Sequence, residues 1–425
     1  MSLTGIRAAL ARGVERVTGT ALGPYQAAVV RIGFSFTWLG FLLREWPHRR
    51  ELYGPDGPWS WAMARQLISG NGAFTTLMWS DGTLWFECVY LLSVISSVLL
   101  LLGWRTRASS VLFMVGVLSL QNRSVFMGDG GDNVVHLMAM YLVLTRCARV
   151  WSLDARRARR RAPAGGGAAP PRDVTGVALW ALLGAALVVA TLVPGVSPGW
   201  AAVFWGLWLV QALWWAVCRH APRGELRTVL DMTGNLVHNA GLFVIMAEVC
   251  LIYATAGWYK VQGSRWQDGT ALHYPLHLDY FTPWPALSEV LGSSGLLVTA
   301  ITYGTVIVQV AFPFTLVNRR VKNVLLAVMM TEHLAISVVL GLPFFSLAMI
   351  AADAVFLPTV FLLATGRIAG GATARLRARL PGGGRRGGGD DGHPRGEDGD
   401  GHGDGGRDGP PAGDGGRREP RTLVG

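Results

Sequence analysis

Ten apolar stretches, most of them about as long as a helix that crosses hydrocarbon, constrain this chain more than any other feature. They lie at about 25–43, 83–103, 108–121, 131–149, 174–193, 200–218, 237–257, 296–316, 323–341 and 344–364. Crossing a hydrocarbon layer takes roughly 20 predominantly apolar residues, and only 108–121 falls clearly short. In lipid every backbone N–H and C=O must find a partner inside the protein, and a helix pairs them within one segment. The reading is an all-α, polytopic membrane helix bundle with about ten transmembrane helices. Composition agrees, since 51% of residues are hydrophobic and 15% are charged, against roughly 25% charged in soluble domains.

The basic residues fall between apolar runs, as in loops retained on the cytoplasmic side. With the N-terminus inside, the inner segments hold 19 Lys and Arg and the outer loops hold 7. Both termini are therefore expected in the cytoplasm of a multi-pass cell-membrane protein. Arg156, Arg157, Arg159, Arg160 and Arg161 anchor that orientation most strongly; a retention signal is a simpler account of them than an anionic-lipid patch. The net charge of +11 does not point to nucleic acid, because no basic groove interleaved with aromatics accompanies it.

Residues 1–24 lack the continuous apolar core of a cleavable signal. Leu3, Ile6, Leu10, Val14 and Val17 recur at helical spacing, with Arg7, Arg12 and Arg16 elsewhere on the turn. That pattern reads as an amphipathic interfacial helix. Residues 25–365 form the transmembrane domain, and 366–425, rich in Gly, Asp and Arg, read as a disordered tail. The four cysteines are far apart without CxxC spacing, so no metal site is expected.

Two long outer loops, 44–82 and 258–295, carry Trp, Tyr, Pro and His rather than low-complexity sequence. Loops of that kind are usually ordered or functional, and these are expected to pack on each other over the outer mouth. Gly195–Gly199 matches G-x-S-x-G but joins two apolar stretches, without the strand a nucleophile elbow needs. His273 and His277 are four apart, but Pro275 stands between them and forbids the regular helix of a zinc pair.

Ionisable residues inside the apolar stretches face the bundle interior, pair, or line a polar cavity. They are Arg31, Glu87, Glu248, Glu332, His333 and Asp353, with His136 near the start of the fourth stretch. Arg31 and Asp353 are candidates for a structural lock between the first and last spans. Lys260 is one of only two lysines in a chain whose cations are otherwise arginine. It stands where a helix leaves the membrane beside Trp258 and Tyr259, so it is either a snorkelling boundary lysine or a desolvated amine able to act as a base.

Four patches resemble the horizontally transferred transmembrane domain (HTTM) family, which is related to vitamin K-dependent gamma-carboxylase and the sporulation-delaying membrane protein of bacilli. They are Arg31-Ile32; Asn122-Arg123 with Gly131-Asp132 and Trp151-Ser152-Leu153-Asp154; Ala256-Gly257-Trp258-Tyr259-Lys260 with Trp266-Gln267-Asp268-Gly269; and His333 followed by Phe345-Ser346-Leu347-Ala348-Met349. The carboxylase has similar Trp-Ser-Val-Asp, Gly-Val-Lys-Lys, Trp-Val-Glu-Gly and Phe-Ser-Ile-Gly-Met segments. The resemblance covers most of 25–364. It departs from the family in one extra residue between Lys260 and Trp266, in a helix pair at about 174–218 that reads as an insertion, and in lacking the large lumenal domain.

The resemblance implies that Lys260 is the base that deprotonates a reduced quinone, either menaquinol or vitamin K hydroquinone, with oxygen and carbon dioxide as co-reactants. Arg31, His136, Glu248, Trp266, Asp268, His333 and Asp353 are the pocket candidates. Propeptide-directed carboxylation of glutamate is not expected without the lumenal domain. The alternative is a non-enzymatic membrane partner, a maturation, export or immunity factor, that docks a secreted or membrane protein on the outer loops.

Overall fold

The computed structural model describes residues 3–161, 173–192 and 196–379, and every regular element among them is a helix. Helix α1 (Leu3–Gly19) leads into α2 (Pro24–Arg44), and the first long loop holds α3 (Arg49–Tyr53) and α4 (Trp61–Asn71). Next come α5 (Thr83–Leu102), α6 (Thr106–Arg123), α7 (Gly130–Leu144) and the arginine-rich α8 (Leu153–Arg161). The expected inserted pair is α9 (Val174–Leu192) and α10 (Pro198–His220), followed by the longest helix, α11 (Glu225–Gln262). The second long loop carries α12 (Ser264–Gln267), α13 (His273–Leu276) and α14 (Pro285–Gly292). The chain then runs through α15 (Gly295–Ala311), α16 (Arg319–Val339), α17 (Pro343–Asp353) and α18 (Thr359–Arg379).

Among the described residues, seven helices are long and apolar enough to cross a membrane, or eight if the bent pair α17–α18 is one span. Three of the expected ten spans differ from this. The stretch at 344–364 is not one straight helix: its two parts meet at 118°. Leu357 is extended there, at φ −62° and ψ 137°, because Pro358 disfavours helical geometry in the residue before it. Helix α7 stops at Leu144 after 15 residues, and α6 carries Arg107, Gln121, Asn122 and Arg123 within its 18. Helix α18 continues to Arg379, past the boundary expected near 366, and the remainder of the expected tail lies outside the described residues. Long apolar side chains such as Leu182, Leu192, Phe243, Leu251 and Ile307 stand exposed along the helices, as suits a lipid bilayer and not water.

Helix α2 is the centre of the bundle. Ala27, Val30, Phe34, Trp38 and Leu42 are all buried, and the helix packs against α5 and α17. Small residues make the close approaches: a Cβ on Gly33 would come within 2.6 Å of Ala351 Cβ, and one on Gly116 within 2.6 Å of Ser93 Oγ. Between lipid-embedded helices such contacts replace the hydrophobic effect as the source of association. The α9–α10 pair is joined to itself by stacked Trp180 and Trp208, ring centroids 4.1 Å apart. Each indole N–H donates to the other residue's carbonyl, at 3.2 and 3.0 Å.

Arg31 is wholly buried, and the carboxylate partner expected for it is not Asp353. Its Nη1 donates to the Leu100 carbonyl at 2.8 Å and its Nη2 to the Trp151 carbonyl at 2.7 Å. The last carbonyls of a helix have no intrahelical partner and carry partial negative charge, so the end of α5 meets the cation's need. Asp154 closes the same corner by accepting from the backbone N–H groups of Arg105 and Thr106, at 3.0 and 2.8 Å. The Trp151–Asp154 segment thus clamps the α5–α6 turn.

Both long loops are ordered, but the bonds that fix them run to different helices. Arg123, buried at the end of α6, donates to the carbonyls of Gly54 and Trp59 at 2.9 Å each. The second loop is held by α15, where Thr302 accepts from the Leu272 N–H and Tyr303 donates to the Gln267 carbonyl. The expected packing of one loop on the other is not what pins them.

Gly103 ends α5 at φ +67°, and a Cβ there would stand 2.2 Å from Arg31 Nη1 and 2.4 Å from Ser152 Cβ. Gly103→Ala should therefore cost more than the roughly 1–2 kcal/mol of left-handed strain alone. Gly206→Ala, with open space around its Cβ, should leave stability unchanged. Thermal unfolding of the two variants in one detergent separates the outcomes.

Candidate functional site

The structure gathers polar side chains from four helices into one buried network. Tyr253 and Lys260 stand seven residues apart on α11, which is about two turns and so nearly the same face. Helix α15 contributes Gln309, α16 contributes the neighbours Glu332 and His333, and α17 contributes Asp353, with the buried Ser346 two turns before it on the same helix. Tyr253, Gln309, His333, Ser346 and Asp353 are all buried.

At the inner part of the network the Tyr253 hydroxyl donates to Asp353 Oδ2 at 3.0 Å and lies 3.0 Å from His333 Nε2. A phenol has one proton. With that proton directed at Asp353, its oxygen accepts from His333 Nε2–H, and Nδ1 is left as the ring's acceptor. His333 Nδ1, Asp353 Oδ1 and Ser346 Oγ are buried without a protein partner. Unpaired polar atoms at such depth cost free energy unless a ligand or water meets them. Phe312 and Phe345 wall this part, with ring centroids 5.9 Å from Tyr253 and 5.7 Å from His333.

Toward the C-terminal end of α11 the Lys260 amine donates to Gln309 Oε1. Gln309 Nε2 donates in turn to Glu332 Oε1 at 2.9 Å, so the amide joins the amine to a carboxylate. Lys260 Nζ also lies 5.1 Å from the centroid of the Trp266 ring, a distance at which a cation is attracted to an aromatic face. Lys260 and Glu332 connect to the Tyr253 part through the backbone of α16, where Glu332 and His333 are adjacent.

Of the residues expected at a pocket, Lys260, Trp266, His333 and Asp353 come together. Arg31 does not, since it serves the end of α5. His136 pairs with Gln121 Oε1 at 3.1 Å, between α7 and α6. Glu248 accepts from the Tyr141 hydroxyl at 3.0 Å and braces α11 against α7. Asp268 is a turn residue, accepting from the Thr270 N–H at 3.0 Å and pairing with Arg265 at 3.6 Å; the Thr270 hydroxyl and amide hold its carboxyl below the usual range. Glu87 is held by Arg49 and Arg50 near the N-terminal end of α5, at 2.9 and 2.6 Å. No group of metal-ligating side chains occurs among the described residues.

Tyr253 and Gln309 are the members that reading for charge overlooked. Two signals pointed to them: Gln309 is a polar residue in an otherwise apolar run, and Tyr253 precedes Lys260 by two helical turns. No family model matches the chain, and no curated protein or solved structure matches it either.

Tyr253→Phe removes the hydroxyl that serves both His333 and Asp353. It should lower stability by about 1–3 kcal/mol, the cost of leaving buried polar groups unpaired. Ser346→Ala removes a hydroxyl with no protein partner and should be neutral or stabilising in the ligand-free protein. Unfolding in detergent measures both.

Proposed function

We propose that the chain is a membrane enzyme that removes a proton from an apolar, hydroxylated ligand, a reduced quinone, with Lys260 as the base. One observation carries this reading: the Lys260–Gln309–Glu332 group adjoins, through the neighbouring residues Glu332 and His333, a second group in which His333 and Asp353 each keep a buried polar atom without a protein partner. Those atoms suit the hydroxyls of a quinol, and Phe312 and Phe345 suit its ring. When bound, the quinol would supply an acidic hydroxyl and two reducing electrons.

The chain's own residues do the rest. Gln309 orients the Lys260 amine and connects it with Glu332, which stabilises the ammonium once the proton has been taken. Trp266 covers the amine and favours the same charged state. His333, held by Tyr253, offers its Nδ1 lone pair to a ligand hydroxyl. Ten membrane crossings with both termini cytoplasmic complete the proposal, and they put Lys260 at the outer face. The resemblance to the HTTM family supports it through Lys260, Trp266 and His333.

With molecular oxygen as the electron acceptor, Lys260→Ala should abolish oxygen-dependent quinol oxidation by purified protein while the unfolding midpoint stays near that of the parent. Unchanged turnover rejects the base. A cysteine replacing Gln262 should react with a membrane-impermeant maleimide from the outside of intact cells; labelling only after lysis reverses the topology. The exposed aromatics of the second outer loop, Tyr280 at 84% and Trp284 at 60%, favour a docking role as the second reading. In that case Lys260 is dispensable and Tyr280→Ala with Trp284→Ala loses a co-purifying protein.

A further inference from the structure

Far from Lys260 in the chain, three arginines converge on one indole. Arg107 in the first turn of α6, Arg146 just past α7 and Arg227 in the first turn of α11 have guanidinium carbons 4.7, 5.1 and 5.1 Å from the Trp214 ring centroid. These positions are all at one end of the bundle, and Trp214 lies near the C-terminal end of α10.

A single carboxylate pairs with two of the three cations, and Arg146 also donates to Asn235 Oδ1 at 2.8 Å. Asp231 is 2.6 Å from Arg227 and 3.5 Å from Arg146. Arg107 donates to the neutral Gln211 Oε1 at 2.9 Å, which leaves most of its five donors for another acceptor. Like charges this close repel, and the N-termini of α6 and α11 add further positive potential. The cluster is complementary to an anion with several acceptor oxygens. Guanidinium forks match phosphate in that way, and basic pockets between helices at the membrane boundary are suited to lipid headgroups.

The surroundings select a lipid over a free phosphate. Val210, one turn from Trp214 on the same face and nearer the middle of α10, is 60% exposed, and Leu213 is also exposed. They form an apolar track leading from the cations toward the bilayer centre. We propose that Arg107, Arg146 and Arg227 around Trp214 bind the phosphate of an anionic phospholipid whose acyl chains lie along α10. The site is separate from the Lys260 network and depends only on the bilayer setting.

Native mass spectrometry of the full-length protein in detergent, titrated with phosphatidylglycerol, tests it. The parent should retain phosphatidylglycerol and release phosphatidylcholine. Each arginine replaced, Arg107→Gln and then Arg107→Gln with Arg146→Gln, should weaken retention about five-fold. Arg107→Lys should keep most of it. Arg156→Gln with Arg160→Gln on α8 is the charge-matched control and should leave retention unchanged. Unfolding midpoints verify that each variant is folded, and Arg107→Gln, which loses the bond to Gln211 and the contact with the Trp214 ring but no ion pair, is the least disruptive. The proposal is overturned by parent-like retention in folded Arg107→Gln and the double variant, by equal retention of phosphatidylcholine, or by equal loss in the α8 control. Displacement of the lipid by inorganic phosphate alone would also overturn it, because the site would then take a soluble anion.

Discussion

The Arg31 guanidinium holds the centre of this bundle together. A cation on the most buried helix would be costly in hydrocarbon, yet it meets no carboxylate. Its partners are the Leu100 and Trp151 carbonyls, so the open end of α5 serves as the counter-charge. Three elements are joined at that point: α2, the α5–α6 turn and the Trp151–Asp154 segment. Gly103 has to be a glycine because Arg31 and Ser152 occupy the space its Cβ would take. Asp154 then caps the start of α6, and with the turn closed the small-residue contacts of α2 with α17 and of α5 with α6 fall into register.

The polar network is arranged differently. Its members lie on α11, α15, α16 and α17, and two of them, His333 and Asp353, each keep a buried atom that the others do not satisfy. Tyr253 shares one hydroxyl between an imidazole and a carboxylate, while Gln309 mediates between an amine and a carboxylate. A purely structural network in low dielectric is stabilising when every member is paired, and it loses stability when some are not. The leftover acceptors at His333 and Asp353 are the physical reason to regard this region as built for a ligand. The arginine cluster at Trp214 follows the same logic with charge: an excess of cations persists where an external anion offsets it.

Particular residues illustrate how far reading the chain can go. The apolar stretches located most of the long helices to within a few residues, though α11 begins at Glu225, well before the expected 237, and the rarity of lysine singled out Lys260. Trp266, His333 and Asp353 stood among the pocket candidates together with Arg31, His136, Glu248 and Asp268, whose bonds run to other parts of the structure. Pro358 was visible in the sequence, but the 118° bend it produces between α17 and α18 was not anticipated. The polar residues at the end of α6 were visible too, yet their role in binding the first loop through Arg123 depends on carbonyls at Gly54 and Trp59 far away in sequence. Arg31 was expected to meet Asp353 because a buried cation calls for an anion, and that rule overlooks helix ends.

What the sequence determined alone is what depends on one segment and its solvent: which stretches are helical, that lipid surrounds them, and which residues are too polar to face it. Those properties follow from composition over about 20 residues and need no knowledge of neighbours. Which polar groups satisfy one another was decided only by the tertiary structure. Partners such as Tyr253 and Asp353, or Arg146 and Asn235, are brought together by how the helices are rotated and staggered. Rotation and stagger come from close packing at glycine and alanine contacts, which leave no local signature along the chain.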